Sequence, residues 1–219
     1  MRHDFQPVVS LKTKRPIGYE ALARFADGAQ PAEFWRRRLA LDRLEPHSRH
    51  MARLEIRSWA LAVGAAIRRG LTGNLFVNVV PGVVSDPTYL RCFSRLHTYA
   101  ASAGLVLIPE LVENAEASFS VLSLAARKFR GVGNVAISLD DALEGSTPLT
   151  ALTQLCPEWV KFDVSNLRND PATVHAIIRS VASWGGKVIV EKVETAQDVE
   201  LVTGVRVACG QGWYWGATV

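Results

Sequence analysis

The sequence predicts a parallel α/β fold in a single domain, and three observations predict it. Short apolar runs rich in Val, Ile, Leu and Phe recur along the 219 residues without clean polar alternation, the pattern of strands buried on both faces. Helix-like stretches separate most of these runs, and strand–helix alternation repeated this often argues for a parallel sheet with helices outside it. No low-complexity segment or linker interrupts the series, and α/β barrels of somewhat more than about 200 residues form as one unit.

The apolar runs fall at 5–11, 17–22, 75–79, 105–108, 135–139, 159–162, 188–190 and 205–208. The first two are joined by Lys12-Thr13-Lys14-Arg15-Pro16. That linker is too short for a crossover helix, so the pair reads as an antiparallel hairpin. Helices are expected at 48–69, 87–103, 115–129, 148–155, 171–184 and 196–202. Asp86-Pro87 and Asp170-Pro171 each place a cap residue before a proline at the first helical position. Gly185-Gly186 ends a helix before the next run. Periodicity leaves a closed barrel and an open sheet both open.

Composition bounds the partners. Hydrophobic residues make up 48% of the chain and the formal net charge is +4. This is a globular balance with a mild preference for an anionic partner, and no nucleic-acid polymer is expected. Cys92, Cys156 and Cys209 are odd in number and form no CxxC pair, which fits a reduced, cytoplasmic setting with core thiols. The N-terminus lacks the apolar stretch of a signal peptide. The longest apolar runs are about nine residues, as at 59–67, well short of the roughly 20 that span a bilayer. The chain is therefore expected to be soluble, without membrane insertion.

In parallel α/β folds the functional site lies at the carboxyl ends of the strands. Reading the polar residues at the end of each run gives Glu20, Asn78, Glu110 with Glu113, Asp140 with Asp141, Lys161 with Asp163, Glu191 with Glu194, and Gln211. Any one of them has a plain explanation, because Asp and Glu often cap the helix that follows a strand. Together they are almost all acidic or amide. Gathered at one mouth they would repel one another and call for a cation. Oxygen donors without His or Cys suit hard ions such as Mg²⁺, Mn²⁺ or Ca²⁺. Adjacent aspartates can bridge two ions, the usual arrangement for in-line phosphoester hydrolysis. His3, His47, His50, His97 and His175 lie away from these ends and read as surface or structural.

These residues stand in motifs. Tyr19-Glu20-Ala21-Leu22-Ala23-Arg24 resembles the signature of the EAL-domain family, the bacterial cyclic di-GMP phosphodiesterases. Phe5-Gln6-Pro7-Val8-Val9 looks like that family's opening strand, and Leu75-Phe76-Val77-Asn78-Val79-Val80-Pro81 its FVNVSP segment, with Val80 for the usual serine. Glu110-Leu111-Val112-Glu113 is similar to ExxE, Ser138-Leu139-Asp140-Asp141 to LDD, and Val160-Lys161-Phe162-Asp163 to LKID. Glu191-Lys192-Val193-Glu194-Thr195 resembles EGVET and Gln211-Gly212-Trp213 resembles QGY. The match covers essentially the whole chain.

The resemblance implies a modified (β/α)8 TIM-like barrel with the first strand antiparallel. It implies cyclic di-GMP as substrate, opened to linear pGpG with Mg²⁺ or Mn²⁺. Carried over by motif, Glu20, Asn78, Glu110 and Asp140 would hold one ion, and Asp140, Asp141 and Glu191 a second. Lys161 would orient and acidify the attacking water, with Glu191 also catalytic. Gln6, Leu22, Arg24, Asp163 and Gln211 would bind substrate, and Glu113 would brace the loop after Asp141. Trp213, Tyr214 and Trp215 either stack on guanine or pack against the barrel.

The chain also departs from the family. Where DDFGTGYSS is usual it reads Asp140-Asp141-Ala142-Leu143-Glu144-Gly145-Ser146-Thr147-Pro148. Losing the first glycine removes easy access to positive φ, in a loop that in the family helps place metal and substrate and contributes to a homodimer contact. Lys192 replaces the EGVET glycine, to pair with Glu144, reach a phosphate or face solvent. The stretch between Lys161 and Glu191 is a few residues short, and a closing helix is curtailed or absent. Residues 1–219 leave no room for a second domain, so the chain is read as a stand-alone protein or an excised domain. Two functions stay open: a metal-dependent phosphodiesterase, and a catalytically impaired domain that binds cyclic di-GMP or a protein as a regulator.

Overall fold

The computed structural model describes residues 1–25, 49–112, 118–142, 149–205, 207–216 and 218–219. Eight strands close into a barrel in sequence order. They are β1 (Arg2–Ser10), β2 (Pro16–Arg24), β3 (Gly73–Val79), β4 (Leu105–Val112), β5 (Ser138–Asp140), β6 (Trp159–Asp163), β7 (Lys187–Glu191) and β8 (Cys209–Gln211). β1 runs antiparallel to both β2 and β8, and every other neighbouring pair is parallel. The hairpin expected from the short linker is present, with Gln6 directly opposite Glu20. This is the TIM-like barrel with a reversed first strand.

Helices lie outside the barrel. The described ones are α1 (Arg49–Arg68), α2 (Pro87–Ser102), α3 (Phe119–Arg130), α4 (Leu149–Leu155), α5 (Val164–Asn169), α6 (Pro171–Ser183) and α7 (Ala196–Gly204). Asp86 and Asp170 cap α2 and α6 through Thr88 N and Thr173 N, as the Asp-Pro pairs foretold. α7 opens on a capping box made by Thr195 and Asp198, which satisfies two helix-end donors reciprocally. The short helix α5 was not anticipated. Its first turn is built on Asp163, which accepts from Ser165 N.

Two apolar clusters hold the barrel. Outward side chains such as Leu75, Val77, Leu107, Leu139, Phe162 and Val190 pack against the helices. A separate plug fills the interior: Val8, Phe76, Ile108, Trp159, Ile189 and Cys209. Because side chains alternate along a strand, the residue two positions nearer the mouth also points inward. Two steps from the plug lie Gln6, Asn78, Glu110, Lys161, Glu191 and Gln211. On β1 the step runs backwards, from Val8 to Gln6, because that strand is reversed. One apolar layer thus supports one polar layer.

Three expectations need correction. The run at 205–208 is not the last strand, which is Cys209–Gln211. Val207 is buried there, and the Ala208 carbonyl accepts from Leu11 N at 3.1 Å as the chain enters the last strand. The run at 135–139 yields a strand of three residues, since β4 pairs with it from Ser138 onward. Among the cysteines only Cys209 is buried, while Cys92 and Cys156 are half-buried; all three are free. No helix among the described residues is long and apolar enough to cross a membrane.

Candidate active site at the barrel mouth

Lys161 stands at the centre of the polar layer, 1% exposed, projecting from β6. Its Nζ lies 2.7 Å from Glu110 Oε1, 2.7 Å from Glu191 Oε1, 3.1 Å from Glu20 Oε2 and 3.4 Å from Asp140 Oδ1. Four strands therefore deliver carboxylates to one ammonium. Gln211 Nε2 donates to Glu20 Oε2 at 2.6 Å and to Gln6 Oε1 at 2.9 Å. Asn78 Nδ2 donates to Glu20 Oε1 at 3.3 Å. Ser138, which the sequence reading did not single out as a site residue, donates its hydroxyl to Glu110 Oε1 at 3.3 Å.

One ammonium faces four carboxylates, two of them buried and two half-buried. Burial would lower the Lys161 ammonium, but Asp140, Glu110, Glu191 and Glu20 together hold it well above its ordinary range. Burial raises Glu110 well above the usual carboxylate range against the pull of Lys161, and the neighbouring carboxylates add to the rise. Glu191 is pushed up to about 8, first by burial and then by Asp140 and Glu20. Burial also acts to raise Glu20, yet Lys161 and the hydrogen bonds from Gln211, Lys161 and Asn78 keep it below its usual value.

The residues fit a divalent cation. Glu110 Oε2 and Gln211 Oε1 are buried without a hydrogen-bond partner, Asp140 Oδ1 has the 3.4 Å ion pair with Lys161 but no hydrogen bond, and such oxygens are costly to leave unmatched. Asp140, Asp141 and Glu191 each present a carboxylate oxygen within 4.8 Å of the others, the set proposed above for a second ion. Asp141 and Lys192, which follow the ends of β5 and β7, both adopt left-handed backbone, at φ 50° and 54°. Each such residue without a glycine costs of order 1 kcal/mol or more.

Two expected substrate contacts already have protein partners. Arg24 Nε donates to Asp4 Oδ2 at 3.0 Å. Asp163 accepts from Ser165 N at 2.7 Å through Oδ1 and pairs through Oδ2 with Lys192 Nζ at 2.6 Å. Lys192 thus bonds a neighbouring carboxylate rather than facing solvent alone. Leu22 is half-buried on β2. Trp213 and Tyr214 are exposed, whereas Trp215 packs on the core. His3 bonds Ser58, and the described histidines take no part in the site. Glu113 and residues 143–148 lie outside the described residues, so neither the brace nor most of the altered loop is described; Ala142 is buried.

The EAL domain family model matches residues 1–218. The chain belongs to the EAL domain family. It is 28% identical over 221 residues to the probable cyclic di-GMP phosphodiesterase PdeB of Escherichia coli (strain K12), covering 96% of this chain and 41% of that protein. The chain thus spans about two fifths of that relative's length. Among solved structures, this EAL domain superposes on the PaMucR phosphodiesterase in complex with c-di-GMP with TM-score 0.80 and 21% identity, covering 100% and 96% of the two chains. It superposes on Klebsiella pneumoniae BlrP1 in a manganese/cy-diGMP complex at pH 9.0 with TM-score 0.81 and 23% identity, covering 99% and 55%. At these identities the structural likeness speaks for the fold, which is that of an EAL barrel.

Proposed function

We propose that the mouth of this EAL barrel hydrolyses cyclic di-GMP to linear pGpG with one or two Mg²⁺ or Mn²⁺ ions. The observation that carries the reading is the Lys161-centred ring of four carboxylates with its orphaned buried oxygens. Glu20, Asn78, Glu110 and Asp140 would hold one ion, and Asp140, Asp141 and Glu191 the other. When bound, such ions lower the pKa of water and neutralise charge developing on a phosphodiester. The Lys161 ammonium would hold and acidify the attacking water, and Glu191 beside it would take the proton. The water oxygen would bond to phosphorus as one P–O3′ bond breaks, and the leaving 3′ oxygen would take a proton from solvent to become the 3′ hydroxyl of the linear dinucleotide. Gln6, Gln211, Leu22, Arg24 and Asp163 would line the substrate. The relative named probable cyclic di-GMP phosphodiesterase and the neighbours solved with cyclic di-GMP, one of them with manganese, support the choice of substrate and ion. The free cysteines fit a cytoplasmic setting.

The test is incubation with cyclic di-GMP and Mg²⁺ or Mn²⁺, with pGpG resolved by chromatography. A second reading, a cyclic di-GMP receptor without turnover, is favoured by one observation: the Lys192–Asp163 ion pair engages a carboxylate assigned to substrate. Tight binding of the dinucleotide without pGpG in either metal would select the receptor.

A further inference from the structure

The β2–β3 ladder ends early. Its last pair is Glu20 with Phe76, yet β3 continues through Asn78 to Val79. Beyond Phe76, β2 offers the backbone of β3 no partner. Helix α1 supplies partners instead, from two side chains one turn apart on its buried face. Trp59 Nε1 donates to the Asn78 carbonyl at 3.1 Å. Glu55 Oε1 accepts from Val80 N at 2.8 Å. The two bonds therefore flank the residue between them and grip the segment that carries the Asn78 side chain.

The grip is itself fixed. Tyr89 of α2 donates its hydroxyl to Glu55 Oε2 at 2.6 Å, and its ring lies 4.7 Å from that of Trp59. Phe93 also meets the indole, edge-on at 5.3 Å. Glu55, Trp59 and Tyr89 are all buried. A buried carboxylate in an outer helix is costly unless it does something specific, and none of these three side chains reaches the mouth ring.

We propose that Glu55 and Trp59 are positioning residues that set the metal-binding geometry of Asn78 by taking hydrogen bonds at the end of β3, where its pairing with β2 has stopped. The proposal rests on the reading of Asn78 as a metal ligand. It makes the packing of α1 and α2 a determinant of ion affinity, although neither helix lends the site a ligand.

The test is Mn²⁺ affinity, read from the electron paramagnetic resonance signal of free Mn²⁺ and measured well below each variant's melting temperature. Removing an outer hydrogen-bond partner of a metal site costs about 10-fold or more in affinity. Glu55→Ala and Trp59→Phe are expected to show a loss of that order. Glu55→Gln is expected to bind like the original, because its amide oxygen accepts from Val80 N–H and its NH₂ faces Tyr89. Trp59→Phe deletes one N–H and keeps the ring packing, so it decides the matter if Glu55→Ala does not fold. Asn78→Ala is the control. Unchanged affinity in Trp59→Phe and in any folded Glu55→Ala, beside weakened binding in Asn78→Ala, overturns the positioning role. Unchanged affinity in Asn78→Ala removes Asn78 from the metal set and the proposal with it.

Discussion

Lys161 is where a single substitution should separate folding from chemistry. Lys161→Met leaves four carboxylates facing one another without their ammonium. Breaking a buried ion network in this way costs about 3–5 kcal/mol. We expect that loss in urea denaturation with EDTA present, partial recovery when Mn²⁺ is added, and no pGpG in either case. Full stability in EDTA would show that the carboxylates do not depend on the ammonium. Glu55 gives a pH signature. Burial raises its pKa from 4.5 to about 8, despite the bonds from Tyr89 and Val80. The folded chain therefore keeps a proton that the unfolded chain has lost. Its contribution to stability is full below pH 4.5, declines as pH rises from 4.5 to 8, and is flat above. Glu55→Gln cannot titrate, so the stability difference between it and the original should shift in the variant's favour across that window. Parallel pH profiles for the two proteins would refute this.

Among the elements, the connection after β7 and the strand β8 carry the sharpest expectations. Lys192 holds φ at 54° where the family's glycine would do so without strain. Its ion pair with Asp163 has a lysine side chain 61% exposed, and such pairs contribute roughly 0–1 kcal/mol. Lys192→Gly should therefore change stability by less than about 1 kcal/mol. Because it frees Asp163, it should raise cyclic di-GMP turnover or affinity if that carboxylate reads substrate. Gly210 is a different case. An added methyl there would overlap the Trp215 ring, so Gly210→Ala should cost about 1–3 kcal/mol and alter tryptophan fluorescence; an unchanged melt would mean the ring has room to move. These elements also show what a sequence makes legible. The polar ends of the runs were readable because a polar residue closes each otherwise apolar run. β8 was not, because Val207 looks like a strand residue and is buried without pairing. Glu55 had a signal that was passed over. Ala52, Glu55, Trp59, Ala62, Val63 and Ala66 are all buried on α1, so a charge sits at helical spacing on a core face, where it needs a partner. Which backbone it served depended on where the β2–β3 ladder stopped, and no local pattern encodes that. The Lys192–Asp163 pair was hidden for a related reason, since it joins two strand ends that the folded barrel makes neighbours.

For the whole molecule, the closed barrel would make ion binding and folding one equilibrium, because the proposed ligands come from β2, β3, β4, β5 and β7 and meet only when all are paired. A ligand at 100 times its Kd stabilises by about 2.7 kcal/mol, and for a chain of this size each kcal/mol raises Tm by roughly 2–4 °C. Mn²⁺ should accordingly raise Tm by about 5–10 °C, and Asp140→Asn, which touches both proposed ion positions, should remove most of the rise. A rise unaffected by Asp140→Asn would place the ion elsewhere. The strand–helix alternation and the antiparallel first hairpin were legible in the spacing of the apolar runs. Closure was not, since an open sheet has the same periodicity. The reversed strand also has a practical consequence. Gln6 and Glu20 face each other near the mouth, while the turn that joins β1 to β2 lies at the opposite end of the barrel, with Lys12, Thr13 and Lys14 exposed. In an antiparallel pair the ladder sets the register, so residues added at that turn leave Gln6 opposite Glu20. The turn is thus a permissive insertion point, where a peptide tag or a fluorescent reporter could be spliced into the chain without disturbing ion or dinucleotide.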